Sequence, residues 1–144
     1  MNAEARCATP DLRPHVSEFR GGPIVDALVA SRVLGWAHYA GPADSRSGWR
    51  SAEGHAVPAL PPFSTDVELA RTTFARECRR RQWSCDVRRG RRPGDDDAWT
   101  ASVTRGLEVL AAIDAGDEAV SMCVALVMAV GVAEEYRRAG VRRF

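Results

Sequence analysis

This sequence predicts an α+β fold: an α/β/α sandwich in which a mostly antiparallel sheet is flanked by three helices. Three observations carry that expectation. Apolar residues recur at helical spacing in three separated stretches, shorter stretches between them alternate apolar and polar, and Gly- and Pro-rich punctuation divides the two kinds. Helices separated by antiparallel hairpins must bury their apolar stripes on a sheet, which gives the layered class.

The elements follow in chain order. Residues 1 to 21 hold two prolines and mixed charge without periodicity, and read as a flexible N-terminal arm. A first helix is expected from Pro23 to Leu34, because proline suits the first helical position, where its missing N–H would be unpaired anyway. Ile24, Leu28 and the Val25/Val29 pair recur at helical spacing, and Gly35 ends the run. Trp36 to Tyr39 reads as a short strand. "GPADSRSG", residues 41 to 48, is turn chemistry, after which Trp49–Arg50 and His55–Val57 flank "SAEG" as a hairpin. "PALPP", residues 58 to 62, excludes a central strand, since proline cannot donate to a ladder.

A second helix is expected from Asp66 to about Arg81, opened by a capping box in which Thr65 and Glu68 satisfy each other's backbone N–H groups. Val67, Ala70, Phe74 and Cys78 form its apolar face. Trp83 to Val87 and Ala98 to Val103 alternate, joined by "RRGRRPGDDD" as a long turn. Leu107 to Ile113 reads as a further strand entered through Gly106. Asp114 is a candidate cap for a last helix from about Asp117 to Arg138, which Gly140 can terminate. The predicted order is α-β-β-α-β-β-β-α, in one domain over residues 22–139 with a basic tail at 140–144.

The 144 residues suffice for a single buried core, and a net charge of +1 creates no global field toward nucleic acid or an anionic membrane. All twenty basic residues are arginine. Arginine's planar fork suits phosphate. The chain is equally rich in Ala, Gly, Val and Asp, with two Ile and one Asn, as GC-rich coding would give, so the count alone carries no function. Cys7, Cys78, Cys85 and Cys123 form no C-x-x-C pair, and His15, His38 and His55 stand in no metal-ligand spacing with them. No metal or cofactor is therefore expected, and reduced thiols fit a cytosolic setting. No signal pattern opens the chain. The apolar stretch from Ala119 to Ala133 falls short of the roughly 17 to 25 residues of a membrane helix and reads as a buried one.

"DALVASRVLGW" (26–36), "PPFSTDVELA" (61–70), "WSC" (83–85) and "AAIDAGDEAVSMCVALVMAV" (111–130) occur in an order and spacing that resembles the phage ABA-sandwich family, small proteins encoded by phages and prophages. The similarity covers roughly residues 23 to 132. Arg71 and Thr72 stand where such proteins often carry a tryptophan, and "AVSMCVAL" replaces an Ala-Ile-Cys-Arg-Ala-Ala-like run. The resemblance implies a phage origin, action in the cytoplasm of an infected bacterium and α/β/α layers. It implies no catalytic residues, and a shape does not fix a function.

Ser64, Thr65 and Asp66 stand at a helix start, where backbone N–H groups can bind an anion. Capping alone accounts for these residue types, and Asp66 opposes a phosphate; a carboxylate there suits ribose hydroxyls or a base amine better. Tryptophans can stack on bases. Trp83 and Trp99 read as core, whereas Trp36, Trp49 and Arg50 are the better ligand candidates. Arg79–Arg81 and Arg88–Arg92 look like nucleic-acid patches, although Asp95–Asp97 follow the second and a solvated surface is the simpler reading. His38, His55, Cys78 and Cys85 are linked by no recognisable catalytic motif. The functional expectation is a non-enzymatic phage accessory protein that sequesters a small anionic, nucleotide-type ligand, such as a host immune signal. Its site would comprise Trp36, Trp49, Arg50, Ser64, Thr65 and Asp66, with a homo-oligomer through the last helix as a further expectation. Nucleic-acid binding is the alternative, and a nucleotide-processing enzyme a third.

Overall fold

The computed structural model describes residues 20–39, 48–90 and 98–140. Pro23 opens the first helix, α1 (Pro23–Leu28), as its ring geometry favours. The helix widens into a π-helical turn over Val29–Val33, in which Leu34 N–H donates to the Val29 carbonyl at 3.0 Å. Gly35 then takes φ 74°, a left-handed conformation that glycine adopts without steric cost, and the helix ends there. Val25, Asp26, Val29, Ala30 and Val33 form the buried face. Ile24, expected on that stripe, is 79% exposed. Successive residues point about 100° apart around a helix, so Val25 facing the core turns Ile24 out.

Three short strands follow on the three stretches expected, although the predicted order counted only two: β1 (Ala37–Tyr39), β2 (Gly48–Arg50) and β3 (Ala56–Val57), antiparallel and in that spatial order. His38 pairs with Trp49 and Tyr39 with Gly48. A side chain at Gly48 would place its Cβ 2.8 Å from the Tyr39 hydroxyl, so any other residue would require the Tyr39 ring to shift. Pro58 stops β3 after two residues, and the proline-rich 58–62 run carries the chain away without ladder bonds. The strands consequently divide into two three-stranded sheets rather than one.

Helix α2 (Val67–Arg80) is capped by Asp66, whose Oδ1 accepts the Leu69 N–H at 3.1 Å. This corrects the expected Thr65–Glu68 capping box. Thr65 N–H is already bonded to the Pro62 carbonyl at 3.2 Å, and Glu68 pairs instead with Arg71 at 2.8 Å. The end of α2 is closed by Gln82 at φ 62°, with Gln82 N–H on the Arg79 carbonyl and Trp83 N–H on that of Cys78. That is a Schellman ending built without glycine.

The larger sheet is a meander of β4 (Ser84–Arg89), β5 (Trp99–Arg105) and β6 (Glu108–Ala115). Gly106 and Leu107 turn the chain between β5 and β6, and a register shift beside Val103 leaves Leu110 as the extra, buried residue. Ala101, Val103, Ala111, Ile113 and Ala115 face the core, whereas Thr100, Ser102, Thr104 and Asp114 are half-buried or exposed. Asp114, expected as a helix cap, lies in β6 and accepts from the Thr100 hydroxyl at 2.6 Å. The cap of α3 (Glu118–Arg138) is Asp117, which accepts from Val120 N–H at 3.1 Å.

Helix α3 is the centre of the molecule: β5 and β6, α1, the π turn and α2 all pack on it. Residues 119–126 are buried without a break, as only a helix covered on all sides can be. Its 21 residues hold an 18-residue window of mean hydropathy 1.6, long and apolar enough to cross a membrane, where the sequence reading took a shorter apolar run. Here 56% of that apolar window is covered by the chain's own core. Across one edge of this core, Arg71 ties α2 to α3 through two bonds to Glu118 at 2.8 and 2.9 Å. Trp83 joins the core as expected; Trp99 is only half-buried, with the Arg89 guanidinium 5.7 Å from its ring centre.

Candidate functional site

The second half of α2 carries Arg76, Glu77 and Arg80 at positions i, i+1 and i+4, which share one side of a helix. Glu77 lies on the apolar stripe with Thr73, Phe74 and Cys78, and is 4% exposed. A carboxylate so buried needs partners, and arginines surround it. Arg80 Nη2 stands 2.8 Å from its Oε1, while Arg76 Nε and Arg81 Nε approach at 3.7 Å. Its hydrogen bond and charge attraction to Glu77 hold the Arg80 guanidinium above its ordinary pKa. Burial, and then the charge of Arg80, push Arg81 the other way. Arg81 turns inward, donating to the Val33 carbonyl at 2.9 Å with its guanidinium 5.4 Å from the centre of the Trp83 ring.

The π turn delivers Leu34 and Trp36 opposite this helix face, and the β2–β3 turn adds Ala52 and Glu53. Together these seven residues line a hollow of about 440 Å³. One wall is the half-buried indole of Trp36, which meets Phe63 edge-on at 6.2 Å. Across from it, Arg76 and Arg80 keep 58% and 61% of their side chains exposed. The lining sets two guanidiniums, Arg76 and Arg80, against two carboxylates, Glu77 and Glu53; Glu77 is buried beneath the arginines, and Glu53 stands on the β2–β3 turn. An aromatic wall and outward-facing guanidinium forks suit a planar group bearing an anion.

The six residues expected from sequence do not converge. Trp36 lies in this hollow, facing the later half of α2 instead of its start. Trp49 lines a second hollow with His38, its partner in an edge-on ring contact at 5.0 Å. Arg50 is exposed, reaching over the Tyr39 ring at 5.2 Å. Thr65 is exposed, and Asp66 is occupied as the α2 cap.

Ser64 is 1% exposed and welds the chain before α2 to α1: its N–H and its hydroxyl each donate to Asp26 Oδ1 at 2.7 Å, and its Oγ accepts from Gly22 N–H at 2.8 Å. Reading residue types missed Asp26 and Glu77. The available signal was a charged residue on the apolar stripe of each helix, with Asp26 one turn before Ala30 and Glu77 between Phe74 and Cys78.

Arg79 to Arg81 likewise separate: Arg79 is exposed, Arg80 pairs with Glu77, and Arg81 is half-buried. Arg88 pairs with Asp86 at 2.7 Å. Arg91, Arg92 and Asp95 to Asp97 lie outside the described residues, as do most of the arm, residues 41–47 and the basic tail after Gly140. Among the described residues, no three His, Cys, Asp or Glu side chains form a group able to hold a metal ion. No protein-family model matches the chain, and no curated protein or solved structure is detectably similar to it.

Proposed function

We propose that this protein binds and retains a small anionic ligand of nucleotide type in the hollow between Trp36 and the Arg76–Arg80 face of α2. The observation that carries the reading is the pairing of one aromatic wall with two outward guanidinium forks held by a buried glutamate. The volume falls in the ordinary range for small-ligand sites, roughly 300 to 1,000 Å³. The residue runs that resemble phage ABA-sandwich proteins support a setting in an infected bacterium, where holding a nucleotide immune signal would blunt the host's defence.

Thermal unfolding against a panel of nucleotides and cyclic nucleotides tests this directly. Ligand at 100 times its Kd adds about 2.7 kcal/mol, and chromatography should recover it intact. Arg76→Ala is the informative variant, because Arg76 holds only a 3.7 Å ion pair with Glu77 and can be lost without unsealing the core. Loss of the shift in both Arg76→Ala and Trp36→Leu is the expected result. A panel without a shift, or a shift that both variants retain, rejects the site.

A further inference from the structure

The second hollow has about 350 Å³ and the opposite chemistry. Its lining includes Pro23, Asp26, His38, Trp49, Pro58 and Leu60. Asp26 is 6% exposed, and both bonds from Ser64 fall on its Oδ1. Among the described residues no hydrogen bond reaches Oδ2, and no arginine or histidine nitrogen lies within ion-pair distance of the carboxylate. A carboxylate offers about four acceptor positions, and here two are filled. The result is a buried carboxylate whose second oxygen remains to be satisfied at a hollow with aromatic and apolar walls. A cation with N–H donors and a short apolar stem is its complement.

Geometry narrows the cation. A guanidinium is best received by both oxygens of a carboxylate, in two parallel bonds. With Oδ1 already taken twice by Ser64, only one oxygen remains, which suits the compact point charge of an ammonium. We propose that this hollow is a binding site for a primary alkylammonium group, donating to Asp26 Oδ2 with its methylene stem against Trp49, Pro58 and Leu60. This site is independent of the anion hollow and shares no lining residue with it.

The test is an amide and indole NMR titration of the whole protein with n-butylammonium, n-butylguanidinium and n-butanol. Saturable shifts at Asp26, His38, Leu60 and the Trp49 indole are expected with butylammonium, at least tenfold tighter than with butanol. Asp26→Asn weakens that binding tenfold or more, and its amide oxygen can still accept both Ser64 bonds, so the melting temperature reports whether the weld is intact. Trp49→Leu, which leaves the weld untouched, weakens binding severalfold. Blocked lysine binding as tightly as butylammonium would place the cation on a peptide, and weaker binding on a free amine; either keeps the site. Equal binding of butanol, undiminished binding by Asp26→Asn, or a preference for butylguanidinium overturns the proposal.

Discussion

Replacing Ser64 with alanine tests whether the residue is a structural weld or a ligand contact. Ser64→Ala removes one hydroxyl and with it the donation to Asp26 Oδ1 at 2.7 Å, which its proton shares weakly with the Gly22 carbonyl at 3.3 Å, and the acceptance from Gly22 N–H at 2.8 Å. The first is made to a carboxylate and contributes about 1.5 to 3 kcal/mol; the second is neutral and contributes about 0.5 to 1.5 kcal/mol. At 1% exposure, water has no ready access to replace the lost group, so these contributions are not refunded by solvent. The sum is a loss of about 3 kcal/mol, a fall in Tm on the order of 10 °C. Urea unfolding should show a lower midpoint at unchanged slope. The neighbouring Thr65→Ala is the control: its side chain is exposed and should change stability by no more than about 0.5 kcal/mol. A Ser64→Ala loss below about 1 kcal/mol would refute the weld and return Ser64 to the list of ligand candidates.

Four further outcomes follow from the geometry. Asp66→Ala should cost about 1 kcal/mol through the lost cap on Leu69 N–H, measured by denaturant midpoint; a larger cost for Thr65→Ala would restore the capping box. Gln82→Gly should stabilise by about 1 kcal/mol in thermal unfolding, because glycine accepts the φ of 62° without Cβ strain. Among the described cysteines, Cys85 is exposed and should react first with a thiol reagent in the native state, whereas Cys78 and Cys123 are buried and wait for unfolding. Burial pushes the Cys123 thiol from 9.0 to about 12, and burial with the neighbouring Cys85 does the same to Cys78. The folded state therefore keeps protons that the unfolded chain releases. Stability should be unaffected by these groups below pH 9 and should fall between pH 9 and 12, by at most about 1.4 kcal/mol per pH unit for Cys123. A flat urea midpoint across that range, compared with a Cys123→Ala protein, would contradict the burial argument.

The secondary structure was largely legible because its signals are local. Pro23 and Gly35 bound the first helix, the alternation of Ala101 and Val103 with polar neighbours marks β5, and an unbroken apolar run marks α3. Local ambiguity produced the misses. Thr65, Asp66 and Asp114 are all plausible caps by residue type, and which one serves depends on where each backbone N–H is already spent. The division into two sheets depends on which strands pair with which, and no local pattern records that. The candidate site was harder still. Trp36 was visible as an aromatic beside a helix end, but its partners Arg76 and Arg80 lie some forty residues away, and reach it only when α2 packs beside the π turn.

By itself the sequence determined the α+β class, the extent of the helices and the presence of a central apolar helix, since periodicity, capping and turn chemistry act between neighbours in the chain. Tertiary structure alone decided which charged groups are sealed inside. Asp26 and Glu77 stand on the apolar stripes of their helices, but their partners, Ser64 for one and the neighbouring arginines for the other, are set only by the packed structure. A carboxylate's role depends on its solvent and its partners, and both are fixed only when distant segments meet.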